Sequence, residues 1–553
     1  MAAKEVNEAI DANESDEGYG GNVPVRWDGA LQGARLYLAI VGIALPLFLT
    51  GIEATIVSTS LVTITDDLQS AGQSSWVITS YLLTYTGPLS RFLIVWASFS
   101  NIFGVKPSLL TAVTIFIAFS GGCAGAQSIS QLIICRAFQG LGGAGIYSLS
   151  LFSILRLLPY EQYDKASSLA GGILSIGLVI GPLLGGAISN DGKWRWVFLL
   201  NVPAAAVGGI LIFFILPAHF PNAAPVANGQ SKSTPVWAKV KAAIHQVDFL
   251  GAFLVLTACS FIIAALQEGN YEYSWGSGLV VSFLVISGIS WILFVGWEWL
   301  ICRRDLQMSP MFPWRLTQNR LFMGIALGFF TTGVPLTVCV IEIPQRFQIV
   351  NGSSPVGAGV KLLSFALSCL VGIISCSVLA GRLKIPFAYI AVIGLVFQVI
   401  GLFLFSEIEP IVELWPGQFG YLVLAGLGCG LGVSAFYMAT SLVVDIEDQS
   451  IALGIGIQLR MLGGVLGIAT SSAILFHYIQ SRLSSTLSPG EMAALLKTTE
   501  AIKTFSPENQ LHVREVYAIA YNMEMKMCGA FAAAQALAVA MIWKRDNVRF
   551  SKS

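Results

Sequence analysis

The sequence predicts an all-α polytopic membrane protein of about fourteen spans, and three observations carry that prediction. Of 553 residues, 55% are hydrophobic and 11% charged, against about 25% charged in soluble domains, and the mean hydropathy is +0.73. Windows of roughly 20 apolar residues, enough to cross a bilayer, recur along almost the whole chain. Two stretches also repeat in the same orientation at an offset of roughly 280 residues. QGLGGAGIYS at 139–148 resembles AGLGCGLGVS at 425–434, and the glycine-rich helix at 171–188 has a counterpart in IQLRMLGGVLGIATSS at 457–472. A parallel repeat of that period predicts two six-helix bundles with two extra helices between them and a substrate site at the midplane.

Taken in order, residues 1–35 are polar and acidic with no apolar run. They read as a disordered cytosolic tail, leaving the first span to act as its own insertion signal. The spans fall at 36–60, 76–97, 108–127, 131–156, 167–189, 196–217, 249–267, 278–300, 321–343, 357–380, 386–406, 418–441, 451–478 and 517–543. The N-terminal bundle is thus 36–217, the extra pair 249–300 and the C-terminal bundle 301–545. The Pro, Ser and Asn rich stretch 218–248 reads as a cytosolic linker, 481–516 as a long outer loop, partly helical around 489–499, and 546–553 as a second tail.

Lys106, Lys239, Arg303, Arg304, Arg382 and Lys544 all lie on the side of the N-terminus, whereas the short loops opposite hold little beyond Lys193, Arg195 and Arg346. The positive-inside rule therefore places both termini in the cytosol. A balance of 31 basic and 31 acidic residues gives no global attraction to nucleic acid. None of the nine cysteines forms a CxxC pair, so they read as core thiols without a metal site or a disulfide frame. With no histidine cluster and no nucleophile elbow, an integral-membrane enzyme is disfavoured.

Gly177, Gly181 and Gly185 recur every four residues and form one close-packing face, with Pro182 bending the helix between them. The repeat counterpart assigns this face to the interface between the bundles, as an outer-side seal and flexing point. Ionisable residues inside the spans are few and costly. Glu53 on span 1 and Arg136 on span 4 each lie about 9 Å from the outer end of their windows, so they share a level. Two readings stay open: a proton-coupling pair whose separation switches Glu53, or an ion pair that ties spans 1 and 4 together. Arg460, beside Gly463 and Gly464, reads as an inner arginine that snorkels, with cavity lining as the alternative. Glu342 and Arg346 flank Pro344 and read as an ion pair at the outer rim. Asp66 and Asp67 read as capping residues at a loop edge. Phe329, Phe330, Tyr147 and Phe436 are candidate cavity walls by position, with core packing as the alternative for each.

Several stretches match known motifs. CRAFQGLGG at 135–143 looks like RxxQGxGG, through Arg136, Gln139 and Gly140. GLVIGPLLGG at 177–186 looks like GxxxGPxxGG, through Gly177, Gly181, Pro182, Gly185 and Gly186. WRWVFLLNVP at 194–203 is similar to WRWxFxxNxP, through Trp194, Arg195, Trp196, Asn201 and Pro203. GIEATIVSTSLVTITDDL at 51–68 is similar to LDxTIVxxALPxI with Glu53 in place of aspartate, and QLRMLGG at 458–464 brings in Arg460. On these motifs the chain resembles, from about 36 to 545, the fourteen-span drug:proton antiporters of the major facilitator superfamily, particularly their fungal members.

The resemblance implies the major facilitator fold and a proton-coupled exporter of small, largely apolar organic compounds such as drugs, toxins or secondary metabolites. It also implies a monomer in the plasma membrane, with the vacuolar membrane as alternative, driven by the proton gradient and needing no cofactor. One motif departs: in WASFSNIFGVKP the gate loop between spans 2 and 3 keeps Gly104 and Lys106 but has Asn101 for the family's aspartate and Val105 for its arginine. PLSR at 88–91 looks like a four-residue insertion in span 2, which turns that helix by about 40°. A transport-inactive sensor on the same scaffold therefore stays open, beside a nutrient or siderophore symporter or facilitator.

Overall fold

The computed structural model describes residues 31–86, 96, 100, 103–157, 163–190, 192–217, 220, 248–269, 273–304, 314–410, 413–444 and 448–544. Among these it is helical throughout, with one isolated bridge between Gly269 and Tyr273. The N-terminal helices are α1 (Ala34–Asp67), α2 (Ser74–Thr86), α3 (Val105–Ala124), α4 (Ile129–Leu157), α5 (Tyr163–Ser189) and α6 (Arg195–Ile215). Two central helices follow, α7 (Phe249–Glu268) and α8 (Gly278–Arg304). The C-terminal set is α9 (Arg320–Ile349), α10 (Pro355–Gly381), α11 (Phe387–Ser406), α12 (Gln418–Val443), α13 (Gln449–Leu483) and α14 (Pro507–Ile542). Thirteen of these are long and apolar enough to span a membrane. The fourteenth predicted span falls on α2, and the end of its window lies outside the described residues. So do Asn101, the stretch 88–91, most of the linker 218–248 and the terminal tails at 1–30 and 546–553.

The two sets repeat one packing scheme. Helix α1 packs on α5 and α6, α3 on α4, and α2 on α4; in the second set α9 packs on α13 and α14, α11 on α12, and α10 on α12. Helices α7 and α8 pair with each other, and α7 also leans on α2 and α13. Gln267 of α7 donates to Thr79 at 2.9 Å, and the Trp76 indole donates to Glu268 at 3.2 Å.

Glycine seams enforce the scheme. A Cβ at Gly181 would stand 2.0 Å from Thr55 Oγ1, and one at Gly185 would stand 2.0 Å from the Ile56 carbonyl oxygen. Helices α1 and α5 thus touch backbone to backbone, and the Thr59 and Ser60 hydroxyls donate to the Pro182 and Gly185 carbonyls. The repeat copy of this seam joins α9 to α13, where a Cβ at Gly333 would lie 1.7 Å from the Arg460 carbonyl oxygen and one at Gly463 2.1 Å from that of Phe330.

This corrects the placement expected for the glycine face. Gly177, Gly181 and Gly185 pack inside the first bundle, and the boundary runs one residue further, at Gly186, whose added Cβ would meet the Pro355 carbonyl oxygen at 2.5 Å. A helix turns about 100° per residue, so adjacent glycines serve different neighbours.

Contacts between the bundles gather at one end of the molecule, where α1, α5 and α9 finish and α2 and α10 begin. Gln348 donates to the Thr59 carbonyl at 3.0 Å, Ser75 and Ser472 hydrogen-bond, and Gly359 packs on the Pro182 carbonyl. Helix α1 runs past its apolar window, so Asp66 and Asp67 end a helix and reach remote segments instead of capping a local loop. The Thr499 amide and the Thr498 hydroxyl donate to Asp66 at 2.7 and 2.8 Å. The connection after α13 supplies those threonines and carries a short helix, Pro489–Lys497, whose start is fixed by reciprocal hydrogen bonds of Ser488 and Glu491.

Candidate transport site

In the first bundle, Glu53 and Arg136 meet, fully buried at 0% and 1% exposure. Their depth match follows from the antiparallel entry of α1 and α4. Glu53 also accepts from Asn201 Nδ2 at 2.5 Å. Arg136 donates from Nε to the Val77 carbonyl at 3.0 Å and from Nη1 to Gln139 Oε1 at 2.8 Å, and Gln139 Nε2 donates to Ser120 Oγ at 2.8 Å. The Tyr81 ring lies 4.3 Å and the Phe198 ring 5.6 Å from the guanidinium carbon. Glu53, Arg136, Asn201, Gln139 and Ser120 leave no buried polar atom unpartnered, whereas the Tyr81 hydroxyl beside them has no partner. One carboxylate thus links α1, α4 and α6 directly, and through Arg136 and Gln139 reaches α2 and α3. A proton on Glu53 weakens its bond to Arg136, so proton exchange there entails rearrangement of that set.

The remaining motif residues divide by face. Trp194 is buried and donates to Asp67 at 2.9 Å, and Arg195 pairs with the same carboxylate at 3.0 Å. Trp196 and Pro203 point outward and join no polar group. Gly140 lets α4 approach α2, since a Cβ there would meet the Tyr81 carbonyl oxygen at 2.5 Å. Gly104 precedes α3 at φ +95°, a conformation that glycine adopts without strain, and Lys106 lies 5.3 Å from the Phe213 ring centre.

Between the bundles, Arg460 does not snorkel. Its guanidinium lies within electrostatic reach of Tyr437 on its own side and of Tyr147 and Tyr85 on the other. The tyrosine rings supply phenol oxygens at mid-depth, so the cation has no need of the membrane surface. The Tyr85 and Tyr147 rings meet edge-on at 6.2 Å, and Phe329 meets Tyr437 at 4.9 Å. Phe329 and Phe436 are core residues, whereas Tyr147 and Phe330 keep partial exposure. Sequence reasoning missed Tyr85 and Tyr437; Tyr437 carried a signal in its place beside Phe436, already singled out as a cavity wall, and Tyr85 carried none.

In the second bundle, Glu342 and Arg346 form no rim ion pair. Helix α9 continues to Ile349 and is covered by α14, so both residues are buried. Glu342 accepts from Gln345 at 2.9 Å, and Arg346 stacks over Phe405 at 4.8 Å with Nε and Nη1 unpartnered. Glu524 of α14, also missed, is 0% exposed with both oxygens unpartnered.

The family model described as Major Facilitator Superfamily matches residues 43–468. The chain is 39% identical over 514 residues to an MFS-type transporter, FPY5, of Fusarium mangiferae, covering 93% of this chain and 84% of that one. It is 26% identical over 461 residues to the efflux pump aflT of Aspergillus parasiticus, covering 83% and 85%. Among solved structures it is similar to a bacterial homologue of the human lysosomal transporter Spinster in an inward-facing, unoccupied conformation, with TM-score 0.62 and 13% identity over 93% of this chain and 100% of that one.

Proposed function

The chain belongs to the Major Facilitator Superfamily and is a multi-pass membrane transporter of small molecules, and we propose that it is a proton-coupled efflux antiporter. Its cargo is small, largely apolar organic compounds such as drugs, toxins or secondary metabolites, and its energy source is the proton gradient, with no cofactor. It works as a monomer in the plasma membrane, with both termini in the cytosol.

The observation that carries the reading is the Glu53, Arg136 and Asn201 network, a buried carboxylate whose partners come from two other helices of the same bundle. The Arg460 and tyrosine cluster supports the cargo class, because aromatic walls with one cation and a few phenols favour flat apolar compounds carrying a polar handle. The efflux names of curated relatives support the direction. With the N-terminus inside, the closed end is the outer one, and rocking of the bundles exposes the cluster alternately.

Cells expressing the chain should extrude a hydrophobic dye, and a protonophore should collapse that efflux. Glu53→Gln should abolish gradient-driven transport while the protein stays folded and in the membrane. Accumulation in place of efflux selects a symporter, and no flux selects a sensor.

A further inference from the structure

We propose that Glu342 and Glu524 form a second proton site in the C-terminal bundle, the two carboxylates sharing one exchangeable proton reached from the closed end of the molecule. The inference rests on the proton-coupled reading above and adds to it a site that no motif residue marks.

Charge and geometry carry it. Glu342 of α9 and Glu524 of α14 lie within electrostatic reach of each other in a pocket closed to solvent. The ionisable groups facing them are Arg346 and Cys339 from α9, and Tyr517, Tyr521 and Cys528 from α14, with Asp66 of α1 acting on Tyr517. Helix α13 contributes the Ser471 hydroxyl, and α11 contributes the Phe405 ring beneath Arg346. Two carboxylates and one guanidinium leave one negative charge uncompensated in an apolar setting, which costs several kcal/mol unless a proton neutralises it. The hydrogen-bond inventory agrees. Both oxygens of Glu524, the Tyr521 hydroxyl and two nitrogens of Arg346 are buried without partners. In the first bundle Glu53, Arg136, Asn201 and Gln139 consume one another's groups; around Glu342 and Glu524 such groups stay open to a proton.

A cleft of about 590 Å³ opens at the closed end between Asp66, Gln348, Thr499 and Arg514. Beneath it lies a cavity of about 30 Å³, room for a water, lined by Gln345, Tyr517 and Tyr521. The cleft and the cavity share Val62, Ile349 and Thr499. Gln345 in turn hydrogen-bonds Glu342. The route from the cleft therefore passes the cavity and reaches Glu342 through Gln345, with the unpartnered Tyr521 hydroxyl beside it.

The test uses infrared difference spectroscopy on the purified full chain at neutral pH, reading the carbonyl stretch of a protonated carboxyl group. Wild type should show that band, Glu53→Gln should keep it, and Glu342→Gln with Glu524→Gln should lose it. In proteoliposomes each single glutamine variant should cut gradient-driven efflux at least tenfold. Size-exclusion profiles decide which single variant is folded and used. A band that survives in the double variant, or is absent from wild type, overturns the shared-proton site whatever the flux. Wild-type flux indifferent to the gradient, with the band present and lost on double substitution, overturns the antiporter reading and leaves the site standing.

Discussion

The two bundles repeat one packing scheme yet treat their buried acids in opposite ways. In the first, Glu53 is answered on both oxygens by Arg136 and Asn201. In the second, Glu342 has one glutamine donor, and Glu524 faces only the Ser471 hydroxyl, with neither oxygen in a well-formed hydrogen bond. A satisfied buried network holds its helices together until a proton breaks its bonds, whereas an unsatisfied one changes protonation state without breaking any. The duplication thus conserved a scaffold while its two copies took on different chemistry: one holds its carboxylate by partners, the other by withholding them.

The contrast predicts unequal costs of substitution, and the largest falls on the first bundle. Arg136→Ala removes the cation from a carboxylate that is 0% exposed and also frees Gln139 and the Val77 carbonyl. The expected loss is about 3–5 kcal/mol, the cost of stranding one member of a buried pair. It should appear as a collapse in monodisperse yield and a lower thermal midpoint. Glu524→Gln should hold or raise that midpoint, since a neutral amide stands in for the protonated carboxyl and strands no cation. Equal losses from the two substitutions would erase the distinction between the bundles.

The glycine seams give the next effect. Gly181→Leu forces its Cβ onto Thr55 Oγ1 and the Ile52 carbonyl, an overpacking cost of roughly 1–3 kcal/mol. Membrane insertion should persist while transport is blocked or leaks. Gly172 of the same helix has open space around an added Cβ, so Gly172→Ala should be neutral or stabilising by up to about 1 kcal/mol. Paired flux and thermal-shift measurements on the two variants check whether the seam, and not glycine content as such, sets the rigidity of α5.

The sequence made the helices legible, because length and apolarity in a bilayer leave few alternatives, and it made the Glu53 and Arg136 pair legible through depth. It hid what depends on which way a side chain points. Arg460 looked like a snorkelling residue because its tyrosine neighbours come from three other helices, two of them in the opposite bundle. Glu342 and Arg346 looked like a rim pair because the apolar window stops near 343 while the helix runs on to Ile349 beneath α14. Glu524 lies inside the last apolar window with Lys526 two residues on, and spacing alone does not say which of the two is answered. Positions two apart on a helix face nearly opposite ways, and Lys526 in fact pairs with Glu407 at 2.8 Å near the surface. Apolar windows and spacing register depth and face, and they are blind to partners that tertiary packing supplies.

The smallest effect belongs to a third kind of acid, one that is exposed. Glu491 accepts from the Ser488 amide at 2.9 Å and from its hydroxyl at 2.8 Å. Those two hydrogen bonds hold its carboxyl below the usual carboxylate range. A folded-state value below the unfolded one means that its contribution is present at neutral pH, persists down to the ordinary carboxylate range near 4, and is lost as the pH falls through the depressed folded value. Acidification should therefore loosen the helix Pro489–Lys497. Hydrogen exchange over 484–506, compared at each pH between wild type and Glu491→Gln to cancel intrinsic rates, reads this directly. Wild type should lose protection on acidification, and the glutamine variant, which keeps an acceptor without a titrating proton, should lose less. Parallel curves for the two would show that the acid sensitivity of this connection arises elsewhere, with Asp66 and its threonine donors as the next contact to test.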